Sequence, residues 1–130
     1  MNESTNMLSM ARALTTHASA RQQLLARNVA NADTPGFRAQ DLGGFDRLVE
    51  SGGMAPGLAM AATRPAHLTG QGWQSSARVV AAGGEASPNG NDVSIEDEMF
   101  RQADIRREHQ LALSVYETGL RLTRNALGRR

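Results

Sequence analysis

The feature that most constrains this chain is the break at Thr34-Pro35-Gly36. Pro35 fixes its own φ and has no backbone N–H to donate, its ring disfavours the α region at Thr34, and Gly36 supplies a conformation that other residues avoid. Proline and glycine also suit the two central positions of a four-residue turn that runs on to Phe37. Just upstream, Asn28, Asn31 and Asp33 carry short polar side chains fitted to bonding nearby backbone groups. A helix arriving from the N-terminal side must therefore stop near Asp33, and the chain must leave it in a new direction.

Such a helix does arrive. From about residue 6 to residue 32, Met7, Ala11, Leu14, Ala18, Leu25, Val29 and Ala32 step by three, four or seven, which places them on one helical face. A helix of this span is roughly 40 Å long. Its stripe is narrow and made of small or flexible side chains. Isolated, it is marginal, because helical stability in proteins comes mostly from packing an apolar face, so it needs a partner.

That partner is expected at the other end of the chain. Ser94 and Asp97 have the spacing of a capping box, and Glu96, Asp97 and Glu98 put negative charge in a solvated first turn, a role that explains them without a cation site. Arg121, Arg124, Arg129 and Arg130 complement the opposite pole and Gly128 can end the helix, which predicts a span from Ile95 through Met99 to Leu127. Two seams with heptad spacing lie side by side in its second half. One holds Ala112, Val115, Gly119, Leu122 and Ala126, and the other Leu113, Tyr116, Leu120 and Leu127. One helix covers one seam. Seams about 100° apart ask for a second partner, which a hairpin within this chain cannot supply. The plain alternative is an ordinary helical hairpin core, and only the doubled seam tilts the reading toward polymerisation.

Between the helices, residues 43–90 hold most of the 13 glycines, with breaks at Gly52-Gly53, Gly83-Gly84 and Pro88-Asn89-Gly90. This is read as a flexible, loosely structured segment. Phe37 to Leu42 is extended or a short helix, Phe45 to Glu50 suggests another helical turn or two, and Trp73 to Val80 has strand character suited to a short arm against a neighbour. The expected organisation is residues 1–36 for the first helix and its turn, 37–90 for the flexible middle with short strands at most, and 91–130 for the C-terminal helix. The fold class is mainly α, with the long terminal helices packing as a coiled-coil-like hairpin.

Composition narrows the chemistry. Only 4% of the 130 residues are aromatic, which leaves little bulky material for a compact enzyme core. All 14 basic residues are arginine and the net charge is +1, too balanced for electrostatic nucleic-acid binding. Cysteine is absent, which removes disulfides, thiolate metal sites and cysteine nucleophiles. His17, His67 and His109 are far apart, with no metal-ligand spacing. Gly70-Gln71-Gly72-Trp73 lacks the rest of a dinucleotide fingerprint. Arg106-Arg107 and Arg129-Arg130 lie beside acidic residues or at a helix end, where solvation or pairing between subunits accounts for them. No enzyme activity, cofactor, metal or small-molecule substrate is expected. The polar start Met1-Asn2-Glu3-Ser4-Thr5-Asn6 lacks the charged and apolar regions of a cleavable signal peptide, and no stretch approaches a membrane span.

The run from Ala26 through Asn28, Asn31, Asp33, Thr34, Pro35, Gly36 and Phe37 to Ala39 resembles the N-terminal signature of the bacterial flagellar axial proteins, the rod, hook and hook-associated subunits. Gly90-Asn91-Asp92-Val93-Ser94-Ile95-Glu96-Asp97-Glu98-Met99 is similar to the Gly-Asn-Asn-Val-Asp-x-x-x-Glu-Met run of the small rod subunits, with Asp92 and Ser94 as departures that keep turn and capping chemistry. The close of the chain, from Gln110-Leu111-Ala112-Leu113 through Leu127-Gly128, carries the resemblance to the end. Residues 43–90 leave no room for the large middle domain of hook and distal rod relatives, so the likeness is to the short proximal rod subunits of the flagellar basal body.

That resemblance implies a structural subunit whose terminal helices pack against each other and against neighbouring copies as a tube, a heterologous contact that does not close. It implies export through the flagellar type III apparatus without a cleaved signal peptide, and assembly as a periplasmic rod. It further implies partnership with other copies and other rod subunits, the adaptor FliE and the membrane ring, and a part in transmitting torque and lining the export channel. A soluble helical adaptor or chaperone that does not polymerise is the alternative.

Overall fold

The computed structural model describes residues 2–50 and 78–128. Its elements in order are α1 (Asn2–Ala30), β1 (Gln40–Leu42), α2 (Phe45–Glu50), β2 (Val79–Ala81) and α3 (Ile95–Ala126). The two long helices pack antiparallel, so that Gly119 faces Leu8, Glu108 meets Arg21 and Glu98 meets Asn28. The architecture is mainly helical, as the terminal stripes predict.

The inward line of α3 is drawn with strict seven-residue spacing: Glu98, Ile105, Ala112 and Gly119 are its buried residues. Ala11, Ala18 and Leu25 answer it on α1 with the same interval, and Ala18, Leu25 and Ile105 touch as the apolar centre. A seven-residue repeat keeps one seam facing the partner over many turns. The seam is small in bulk, so the helices lie close. A Cβ added at Gly119 would come within 2.9 Å of Leu8 Cδ2 and 3.2 Å of Met7 Cε. Near its C-terminal end the inward face of α1 passes through Asn28, while Val29 is turned outward.

Both ends of α3 follow from local chemistry. Ser94 sits in extended backbone and its hydroxyl accepts the Asp97 N–H, the cap that its sequence spacing predicts. At the far end Gly128 takes a φ of +79° after the last turn. The first helix stops at Ala30, two residues short of its apolar stripe, because Asn31 diverts the chain: its amide Nδ2 bonds the Arg27 carbonyl at 2.8 Å and successive tight turns follow.

Phe37 N–H then closes on Thr34 O at 3.2 Å with Gly36 at φ +71°, a type II turn with Pro35 and Gly36 at its centre. Extended chain follows, and β1 pairs antiparallel with β2 in the register Gln40↔Ala81, Asp41↔Val80 and Leu42↔Val79. Of the strand expected from Trp73 to Val80, residues 73–77 lie outside the described residues, and Val79 and Val80 form strand and pair with β1 inside the chain. The reason is proximity: the turn delivers an open ladder at β1, and Gly43 N–H to Arg78 O and Ala82 N–H to Ala39 O extend it at both ends. Helix α2 buries Leu48 and sets the Phe45 ring 5.6 Å from that of His17 on α1. The flexibility expected of the middle segment falls largely on residues 51–77, which lie outside the described residues, as do Trp73, His67 and the Gly70-Gln71-Gly72 run.

Candidate functional site

Two short motifs dominate the sequence, one after α1 and one before α3, and an antiparallel hairpin brings them to the same end. They interlock. Asn91 is buried, and its Nδ2 lies 2.9 Å from Asn31 O, 2.8 Å from Ala32 O and 2.8 Å from Thr34 O. A side-chain amide has two protons, so three carbonyls share them. These are the acceptors that the end of α1 and its turn leave without helical partners. Asn91 Oδ1 in turn accepts the Val93 N–H at 2.8 Å. Gly36 N–H donates to Asn89 O at 3.0 Å and Asp92 N–H to Phe37 O at 3.3 Å, so backbone also joins backbone across the junction.

Asp92 fixes the strand beyond the turn. Its Oδ1 accepts the Ala39 N–H at 2.6 Å and its Oδ2 the Arg38 guanidinium at 3.3 Å. The Ala39 N–H, more than the exposed arginine, holds the Asp92 carboxyl below the usual carboxylate range. One layer further in, Asn28 accepts the Gln40 N–H at 3.1 Å and donates to Gln40 O at 2.8 Å, as a neighbouring strand would. Its Nδ2 also reaches Glu98 Oε1 at 3.1 Å.

Glu98 is 1% exposed. Arg101 donates to its Oε1 and, through the other arm of the guanidinium, to Ala82 O just past β2. Among the described residues Glu98 Oε2 has no hydrogen-bond partner. The solvated helix start expected for Glu96-Asp97-Glu98 therefore holds for the first two, which are exposed, and is corrected for Glu98. That residue occupies the inward heptad position shared with Ile105 and Ala112, and the capping role assigned to all three acids overlooked it.

Midway along the hairpin a second polar cluster joins three elements. Arg21 forks onto Asp41, Nε to Oδ1 at 3.0 Å and Nη2 to Oδ2 at 2.7 Å, and its remaining arm reaches Glu108 at 3.0 Å. Burial pushes the Asp41 carboxyl up, but the Arg21 fork and the Leu42 N–H outweigh it and hold the group below its ordinary value. The bond to Asp41 raises the Arg21 guanidinium correspondingly. His17 is fully buried, with Nε2 2.9 Å from Gly43 O.

The residues singled out as helix faces divide into two sets. Ala11, Ala18, Leu25, Ala112 and Gly119 are buried between the helices, and Met7, Leu14, Val115, Tyr116 and Leu120 are partly covered. Val29, Ile95, Met99, Leu113, Leu122 and Leu127 are exposed, together with Phe100 and Leu111, which the stripes did not include. Of the signature turn, Asn28 is buried, Asn31 and Phe37 are partly covered, and Asp33, Thr34, Pro35 and Gly36 are exposed. The residues that sequence reasoning missed are Asn91, Glu98, Arg101, Arg21 and Asp41. A signal existed for Glu98, which stands seven residues before Ile105 and fourteen before Ala112. Asn91, Arg21 and Asp41 carry no such signal.

No helix among the described residues is long and apolar enough to cross a membrane, and they hold no group of three or more His, Cys, Asp or Glu placed to bind a metal. What the geometry offers is a polar lock at one end and, along α3, bulky apolar residues left exposed around the helix outside its inner line. No protein-family model matches the chain. Among curated relatives, the flagellar basal body rod protein FlgB of Agrobacterium fabrum is 32% identical over 77% of this chain and 76% of its own length. FlgB of Salmonella typhimurium is 32% identical over 82% of both chains, and that of Yersinia ruckeri 30% identical over 73% of this chain and 74% of its own. On these similarities the chain belongs to the FlgB family of flagellar basal body rod proteins.

Proposed function

We propose that the chain polymerises through the outer faces of its terminal helices, as a proximal rod subunit that transmits motor torque and lines the export channel. Its family makes it a structural component of the flagellar basal body rod. The observation that carries the finer reading is the apolar exposure of α3 outside its inner line, where Phe100 is 74% exposed, Leu122 51% and Leu113 46%, although the inner line is already packed on α1. Large apolar residues left uncovered at several positions around a helix that has already spent its inner line on α1 fit helix-to-helix contacts with a neighbouring copy or another rod subunit. A contact of that kind is heterologous and continues as a filament.

The rest of the proposal rests on family resemblance. The chain travels through the flagellar type III apparatus, assembles in the periplasm, and meets FliE and the membrane ring at the rod base. It carries no catalytic role.

The test is mass spectrometry of detergent-washed basal bodies from cells producing either the native chain or Leu122→Asp, read beside swimming. The native chain is expected in the basal bodies and the variant only in other fractions, with motility lost. A variant that incorporates and swims normally removes Leu122 from the contact and the proposal with it. A native chain abundant in the cytosol and absent from basal bodies favours the soluble adaptor.

A further inference from the structure

Asn89-Gly90 is the one Asn-Gly step in the sequence, and it lies inside the lock. In an open chain this dipeptide is chemically labile. The Gly90 amide nitrogen, after losing its proton, attacks Asn89 Cγ: a C–N bond forms, ammonia leaves, and a five-membered succinimide results. Water then opens either carbonyl of the ring, giving aspartate or isoaspartate. The balance is one water consumed and one ammonia released, with no oxidant or cofactor. Glycine matters because its missing Cβ leaves the attacking nitrogen unhindered.

The fold holds each participant away from this reaction. Ser87, Pro88, Asn89 and Gly90 form a turn closed by Gly90 N–H to Ser87 O at 2.7 Å. No described residue other than glycine has positive φ, which makes the turn type I, with ψ near 0° expected at Asn89. The Asn89 side chain is engaged through Oδ1, which accepts the Asn91 N–H at 3.0 Å, and its carbonyl accepts the Gly36 N–H at 3.0 Å. Gly90 itself is pinned at φ +81° against Gly36, whose Cα would lie 3.4 Å from a Cβ built there. Rotating Asn89 so that the Gly90 nitrogen reaches Cγ breaks the turn and the contact with Gly36 together.

We infer that Asn89 is a spontaneous modification site gated by folding: stable while the lock is closed, and converted to aspartate and isoaspartate while it is open. Isoaspartate runs the main chain through the former side chain and adds a methylene one residue before Gly90 and two before Asn91. Asn91 and Asp92 are then out of register with the carbonyls and the Ala39 N–H that they bind. The modification records time spent unfolded and prevents marked chains from closing the lock.

The experiment incubates the full chain at mildly alkaline pH, in native buffer and in concentrated urea, and follows residue 89 by peptide mass spectrometry that separates asparagine, aspartate and isoaspartate. Conversion is expected to be about tenfold or more slower in native buffer, because attack must wait for local opening. Equal rates in the two solutions overturn the gating, and no conversion in urea overturns the site. Refolding the urea-aged chain adds a second readout: the isoaspartate fraction is expected to stay unfolded by circular dichroism, and normal refolding of that fraction overturns the claim that the lock rejects it.

Discussion

The two sides of α3 invert the usual arrangement of a helix in a small protein. Its inner line holds an acid, one isoleucine, an alanine and a glycine, at Glu98, Ile105, Ala112 and Gly119. The rest of its circumference, left exposed, holds Met99, Phe100, Leu111, Leu113 and Leu122. A self-sufficient domain puts such bulk inside, since burying a large apolar side chain contributes about 1.5–3 kcal/mol and an alanine much less. Here the apolar seam within the chain is thin, and specificity comes from polar bonds that accept one geometry. The difference teaches that the single chain is held in shape by its lock, while its largest hydrophobic resource lies where a neighbour can cover it.

Substitutions on the inner side should break that comparison most visibly. Glu98→Ala leaves Asn28 and Arg101 without their shared acceptor in a nearly closed site. Breaking a buried, hydrogen-bonded ion pair costs about 3 kcal/mol, and urea titration of the monomer followed by circular dichroism should show a loss of this size. A change under about 0.5 kcal/mol, the level of an ordinary surface substitution, would mean that the pair is not a determinant of the fold.

Asn91→Ala comes next. It removes the amide that serves three carbonyls, but Thr34 is itself exposed and water can reach part of the turn. The expected cost is about 2 kcal/mol, that of losing the bonds of one buried amide, since Asn31 O and Thr34 O keep the Thr34 and Phe37 N–H groups. Hydrogen exchange gives a sharper reading, because Gly36 and Ala39 amides should lose protection ahead of those in mid-α1. Uniform loss along the chain would show that the lock is not a separate unit.

Acid should act on the same polar scaffold with a smaller effect. The Asp41 and Asp92 carboxyls are depressed in the folded chain. A depressed carboxylate contributes stability that is fully present above its unfolded pKa, about 3.9, and is lost as pH falls through the folded value. Stability should therefore be flat with respect to these two groups above about pH 5 and decline below about pH 4. Asp41→Asn should make that decline shallower, and an unchanged slope in the variant would remove Asp41 from the account.

Much of the hairpin was legible in the sequence because it is written locally. Pro35 and Gly36 announce their turn, Ser94 and Asp97 their cap, and the seven-residue interval of Ala112 and Gly119 their seam. Phe45 to Glu50 also declares its short helix. The lock was not legible, since Asn91 looks like any turn asparagine until the carbonyls of Asn31, Ala32 and Thr34 are beside it. Glu98 was misread for a related reason: an acid in a first turn has a sufficient local explanation, and only the distant Ile105 and Ala112 reveal that it shares their line. The pairing of Arg21 with Asp41 depends on where β1 is delivered, which no local period encodes.

The smallest expected change in monomer stability belongs to Phe100→Asp, and it tests the outer side directly. The ring is 74% exposed, so its removal takes little from the single chain, and the substitution should leave stability within about 0.5 kcal/mol. Assembly should respond differently. If a neighbour covers Phe100 in the rod, each subunit forfeits burial worth about 1.5–3 kcal/mol, and an aspartate there must be desolvated as well. That corresponds to roughly ten- to a hundredfold weaker association at every contact. A normally folded chain that is missing from basal bodies is the expected outcome, and it would separate the two sides of α3 cleanly. Loss of fold in this variant would place Phe100 among the monomer's own contacts, and full incorporation would limit the assembly surface to the stretch of α3 from Leu111 onward.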